Sequence, residues 1–188
     1  MSSQPKNLFT PEEYLALERK ADCKSEYFAG EMFAMAGASR RHNLITANII
    51  RALGNQLLER PCNVYPSDMR VKISKIGKYT YPDVIVACSE ERFEDEHNDT
   101  LLNPVVIIEV LPESTEAYDR GKNFEHYQYL ESLAEYLLIA QDSYRVEQYV
   151  RQNGSTWTYS EFHDIEDIVQ LRAIDCKLAL KDVYAKVA

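Results

Sequence analysis

The rhythm of apolar and polar positions changes several times along the chain. Leu44, Ile45, Ala47, Ile49, Ala52, Leu53 and Leu57 recur at helical spacing, with Asn48 and Gln56 as polar members of the stripe. Ser39 stands where a cap for this helix belongs, and Pro61 stops it. From Met69 to Ser74 the period falls to two, Val71 and Ile73 alternating with Arg70 and Lys72, which predicts a strand. YTYPDVIVAC at 79–88 predicts a second strand. VVIIEVL at 105–111 predicts a third, and a continuous apolar run of this kind is covered on both faces of its sheet. Strands are also predicted at 135–140, 144–150 and 156–162, with Asn153-Gly154 as the hairpin turn between the last two.

The remaining pattern supplies helices and turns. Thr10-Pro11-Glu12-Glu13 has the form of a capping box with proline in the first turn, so a helix is predicted from there to about Arg19. KSEYFAGEMFAMAG reads as a hairpin about Ala29-Gly30, and 75–78, containing Gly77, as a turn. Residues 117–132 predict a helix with Tyr118, Phe124, Tyr127 and Leu130 facing the core, and 180–184 a short closing helix. Helix, hairpin, long helix, three strands, helix and strands in that order give an α/β fold, a mixed sheet with helices on its faces. With no internal repeat, low-complexity tract or linker, one domain over 1–188 is expected.

Composition narrows the class. No apolar stretch approaches the roughly 18 residues of a membrane span, and MSSQPKNLFTPEEY has no signal-peptide pattern, so a cytoplasmic protein without membrane contact is expected. Cys23, Cys62, Cys88 and Cys176 are scattered without a CxxC pair, which reads as reduced thiols and not as a zinc site or disulfide framework. The net charge of −9 argues against a general nucleic-acid coat protein, though not against an enzyme with a local basic groove. SEERFEDEHND, 89–99, carries six of the acids and reads as a solvated loop.

The chemistry-bearing residues are two carboxylates set against apolar strands. Asp83 opens the run VIVAC, and Glu109 lies inside VVIIEVL, 26 residues on. If these strands are neighbours, both carboxylates share a face and repel unless something neutralises them. A divalent cation taking few hard oxygen ligands, Mg²⁺ or Mn²⁺, would do so. The other reading pairs Glu109 with Arg or Lys and has Asp83 cap a turn.

EYFAGE, His42, YPDVIV, IIEVLPEST, YDRGKNFEHY and EYLLIA, in this order and spacing, resemble a large bacterial family of restriction-endonuclease-like proteins within the PD-(D/E)XK nuclease superfamily. The resemblance covers nearly the whole chain. It implies a restriction endonuclease-like mixed sheet flanked by helices, with Asp83 and Glu109 as metal ligands. Glu31 or Glu26 would add a further ligand, and His42 would touch phosphate or orient a carboxylate. The superfamily lysine, expected two residues after Glu109, is Leu111 here. The family pattern Asp-x-x-x-Lys-x-x-x-Tyr is matched by Asp119 and Tyr127, but Asn123 takes the lysine's place and Lys122 lies one step early. The implied function is a Mg²⁺-dependent endonuclease acting on DNA as a homodimer, with Lys122 as its cation. The alternatives are a catalytically impaired relative that binds nucleic acid or protein, and an interaction module in which Asp83 and Glu109 lie apart or in ion pairs.

Overall fold

The computed structural model describes residues 8–111 and 119–187. Helix α1 (Pro11–Glu18) starts at the expected capping box, Thr10 and Glu13 each accepting from the other's amide. It packs Tyr14 and Leu15 on a hairpin of β1 (Ser25–Phe28) and β2 (Glu31–Ala34). Ala29 and Gly30 turn that hairpin with φ of 51° and 86°, the left-handed pair that a two-residue turn requires. The hairpin joins β4 (Arg70–Ile73), β5 (Lys78–Thr80) and β7 (Thr100–Leu101) in a five-stranded sheet of order β2-β1-β5-β4-β7.

A six-stranded sheet follows. It comprises β3 (Cys62–Pro66), β6 (Val84–Cys88), β8 (Val106–Leu111), β9 (Glu135–Ala140), β10 (Val146–Arg151) and β11 (Trp157–Phe162), in the order β11-β10-β9-β8-β6-β3. Only its β8–β9 pair is parallel. A parallel pair needs a crossover, and helix α3 (Phe124–Tyr127) lies in this one, after a π-helical turn at Asp119–Asn123. On one face, helix α2 (Arg40–Leu57) buries Ile45, Ile49, Leu53 and Leu57 against Val84, Val86, Ile108 and Val110. A small sheet of β12 (Ile168–Leu171) and β13 (Cys176–Ala179), followed by helix α4 (Leu180–Val183), completes that layer. On the other face Ile85, Ile107, Leu111 and Tyr136 meet Tyr127, Leu130 and Leu133, together with Val71 and Ile73 of the first sheet. Thus β8 and β9 are buried along their whole length, as their unbroken apolar runs require. No helix among the described residues is long and apolar enough to cross a membrane.

Several sequence expectations are corrected. The segment 79–88 is two strands in two sheets, separated at Tyr81-Pro82-Asp83, because proline has no amide to donate to a ladder. Strands β3, β7, β12 and β13 were not foreseen; each has at most five residues, too few for a clear period. The helix expected over 117–132 is a π turn and four α-helical residues, while Ala117 and Tyr118 lie outside the described residues. The cysteines are not four reduced thiols. Cys62 and Cys88 stand opposite each other on β3 and β6 and form a disulfide, leaving Cys23 and Cys176 free. Strand pairing brought them together, and spacing along the chain carries no trace of it.

The acidic stretch is likewise more than a solvated loop. Glu91 accepts from Asn63 and Tyr65, Glu94 from Lys72 and Tyr79, and Arg19 bridges Asp95 and Asp99. Arg70, nearly buried, stands 3.0 Å from Asp99.

The two-pronged hydrogen bond from Arg19 holds the Asp99 carboxyl well below the usual carboxylate range, against the opposing effect of burial, and Arg70 adds to it. A carboxyl depressed in the native state stabilises above its unfolded pKa of about 3.9 and loses that contribution as pH falls toward the native value. Asp99→Asn is therefore expected to cost about 1 kcal/mol at pH 7, allowing for solvent screening. The deficit should shrink when unfolding is followed by circular dichroism from pH 7 down to 3; a deficit constant with pH would show that charge is not what fastens the loop. Thiol titration of the denatured, unreduced protein should find two free cysteines, with reduction exposing the other pair and costing about 2–4 kcal/mol of stability.

Candidate functional site

The register of β6 against β8 builds the centre of the site. Val84 pairs with Ile108 and Ile85 with Ile107, so one further step sets Asp83 opposite Glu109. The two carboxylates then hold each other's backbone. The Val110 amide donates to Asp83 Oδ2 at 2.8 Å, and the Asp83 amide donates to Glu109 Oε2 at 3.2 Å. Glu109 is 9% exposed, so its charge is carried by these bonds and not by bulk water.

Helices from opposite layers supply partners for the other two carboxylate oxygens. Tyr127 of α3, fully buried, donates its hydroxyl to Glu109 Oε1 at 2.7 Å. Burial, and then the Glu109 charge, push the Tyr127 hydroxyl well above its ordinary pKa, so it remains a donor at neutral pH. From the start of α2, His42 brings Nε2 to 3.0 Å from Asp83 Oδ1. Ser39 fixes that end of the helix by accepting from the His42 amide at 3.1 Å. Asp83 and Glu109 are thus adjacent, and the arrangement with the two carboxylates far apart is excluded.

A second tier comes from the first sheet. Tyr27 pairs with Tyr79 across β1 and β5, and both pack with Tyr14 beneath α1. By strand alternation Glu26, Lys78 and Thr80 face the other way. Thr80 donates to Glu26 Oε1, and its hydroxyl lies 3.5 Å from that of Tyr127. Lys78 donates to Asn123 Oδ1 at 2.7 Å and stands 3.9 Å from Glu26 Oε2. Glu31 opens β2 opposite Phe28, on the Glu26 face but on the sheet's edge strand. Lys122 is exposed on the π turn, whereas Asn123 is buried.

The donor set fits a hard divalent cation. Mg²⁺ commonly takes one or two protein carboxylates and completes its shell with water and phosphate oxygens. Asp83 and Glu109 meet that requirement; among the described residues no three His, Cys, Asp or Glu side chains converge into a fuller cage. Sequence reasoning named Asp83, Glu109 and His42, which the structure brings together, while it placed Tyr127 in the core and in the family pattern without a contact to Glu109, and Lys78 in a turn. The missed signal at Lys78 was its two-residue spacing from Thr80 on a short strand next to a glycine turn.

Comparison with known proteins agrees with this architecture. A family model described as Uma2, putative restriction endonuclease, matches residues 11–181. The chain is 39% identical over 154 residues to the uncharacterized protein sll1609 of Synechocystis sp., covering 82% of this chain and 87% of that one. It is 32% identical over 186 residues to the uncharacterized protein slr1290 of the same organism, covering 99% and 96%. The fold is similar to the crystal structure of a putative nuclease belonging to DUF820 from Anabaena variabilis, with TM-score 0.76, 20% identity and coverage of 96% and 99%. With the family match running through both sheets and every element of the site, the chain belongs to the Uma2 family of putative restriction endonucleases.

Proposed function

We propose that this protein is a Mg²⁺- or Mn²⁺-dependent endonuclease that hydrolyses phosphodiester bonds of DNA at the Asp83–Glu109 pair. One observation carries the reading: two neighbouring carboxylates, each oriented by a side chain and an amide, in a chain of a nuclease-like family. Asp83 and Glu109 would hold the ion, which when bound supplies an acidified water and neutralises phosphate oxygens. His42 and the Val110 amide fix the rotation of Asp83, and Tyr127 and the Asp83 amide fix that of Glu109. Such outer contacts keep ligands in place before the ion arrives. As a homodimer, the reading favours a contact along β11, an edge strand of the six-stranded sheet that exposes Tyr159 at 49%.

A binding protein without turnover is favoured by one observation, Asn123 in place of the lysine that the family pattern calls for. The same assay separates the two readings. Supercoiled plasmid and single-stranded DNA are incubated with Mg²⁺ or Mn²⁺ and either wild type or Glu109→Gln at matched purity. The expected result is metal-dependent cutting by wild type, reduced at least about 100-fold in the variant. Equal cutting by both proteins, or none by either, overturns the nuclease reading. His42→Ala and Tyr127→Phe are each expected to cost about 10- to 100-fold in metal affinity or activity, measured by Mn²⁺ calorimetry and the same cleavage assay.

A further inference from the structure

Lys78 is 1% exposed on a central strand. A buried ammonium persists only where hydrogen bonds and opposite charge offset its desolvation. Here Asn123 Oδ1 accepts from Nζ at 2.7 Å, and Glu26 Oε2 stands 3.9 Å away. The contact with Asn123 is informative because position 123 is where the resemblance places a lysine. In this chain the amide at 123, at the end of the π turn, touches an ammonium that arrives from β5.

We propose that Lys78 carries the site's fixed positive charge, taking from β5 the role that a helix lysine at 123 would have. The proposal rests on the nuclease reading. Three further observations support it. Lys78 shares its sheet face with Thr80 and Glu26, and Thr80 leads through the Tyr127 hydroxyl to Glu109. Lys122, one residue before Asn123 and roughly 100° away around a helical axis, is exposed. After burial, the Lys78 charge is the next cause holding the His126 imidazole below its ordinary pKa, so its positive field reaches the neighbouring helix. An ammonium held by a strand and an amide does not need to reorganise as negative charge builds on phosphate in the transition state. In a dry environment its field is weakly screened.

The test exchanges the cation between the two positions. Lys78→Met, Lys122→Met and the double exchange Lys78→Met with Asn123→Lys are compared with wild type. Each is assayed for melting temperature, kcat and KM on DNA with Mn²⁺, and Mn²⁺ affinity by calorimetry. Lys78→Met is expected to lower kcat at least about 100-fold, with a smaller change in KM. It is also expected to tighten Mn²⁺ binding, because a like charge leaves the site. The double exchange is expected to recover most of kcat and return Mn²⁺ affinity toward wild type. A lysine that only supported the sheet would lower the melting temperature and weaken metal binding, with no recovery from Asn123→Lys, and that result overturns the proposal. So does loss of kcat in Lys122→Met with retention in Lys78→Met. Wild type that neither cuts nor binds Mn²⁺ through Glu109 removes the nuclease reading, and this inference falls with it. Normal wild-type behaviour with an unaffected Lys78→Met removes the inference alone.

Discussion

The site depends on one constraint, the antiparallel register of β6 and β8. A shift of one residue would turn every side chain of a strand to the opposite face. In the observed register Asp83 and Glu109 are partners, and each accepts from a backbone amide on the other's strand. The apolar residues on either side keep the register from slipping: Val84, Val86, Ile108 and Val110 are sealed under α2, and Ile85 and Ile107 beneath the opposite layer. Hydrophobic packing thereby positions two charges that would otherwise repel. His42 and Tyr127 approach from opposite sides because those helices cover opposite faces of the same strands.

The two tiers of the site differ in chemistry. Around Asp83 and Glu109 three of the four carboxylate oxygens accept a hydrogen bond and the fourth, Asp83 Oδ1, lies 3.0 Å from His42 Nε2, an arrangement suited to holding negative charge in a fixed direction. Around Lys78, an amide oxygen and a carboxylate hold positive charge. Thr80 and Tyr127, both neutral, lie between the tiers. The site therefore contains both signs of charge, separated by hydroxyl groups, within a protein whose net charge is −9. A strongly acidic chain can accommodate an anionic substrate if the acids elsewhere are tied up locally, as Asp95 and Asp99 are by Arg19.

Much of this was legible in the sequence where the signal was long or local. The stripe from Leu44 to Leu57, the capping box at Thr10 and the turn at Ala29-Gly30 follow from rules that act over a few residues, and all three formed as expected. The run VVIIEVL announced a doubly covered strand, and Glu109 stood out because a carboxylate there needs an explanation. What stayed hidden was set by pairing between distant segments. Cys62 and Cys88, Lys78 and Asn123, and Arg19 and Asp99 meet only after the sheets have assembled. Lys78 was hidden twice, since a three-residue strand beside Gly77 has no period of its own and its partner lies 45 residues away.

The passage of the chain from one sheet to the other at Pro82 has a consequence for how the site withstands motion. Lys78 and Thr80 lie in one sheet, Asp83 immediately precedes the first strand residue of the other, and six consecutive residues carry all three. Their separation is thus limited by covalent bonds, at most about 3.6 Å per residue, and does not rely on the two sheets remaining closely packed. If the sheets breathe against each other, the cationic and anionic tiers stay tethered through this segment, which sets the greatest distance they can reach. The same economy makes the segment intolerant of length change: one residue inserted between Thr80 and Asp83 would displace a tier while leaving both cores intact.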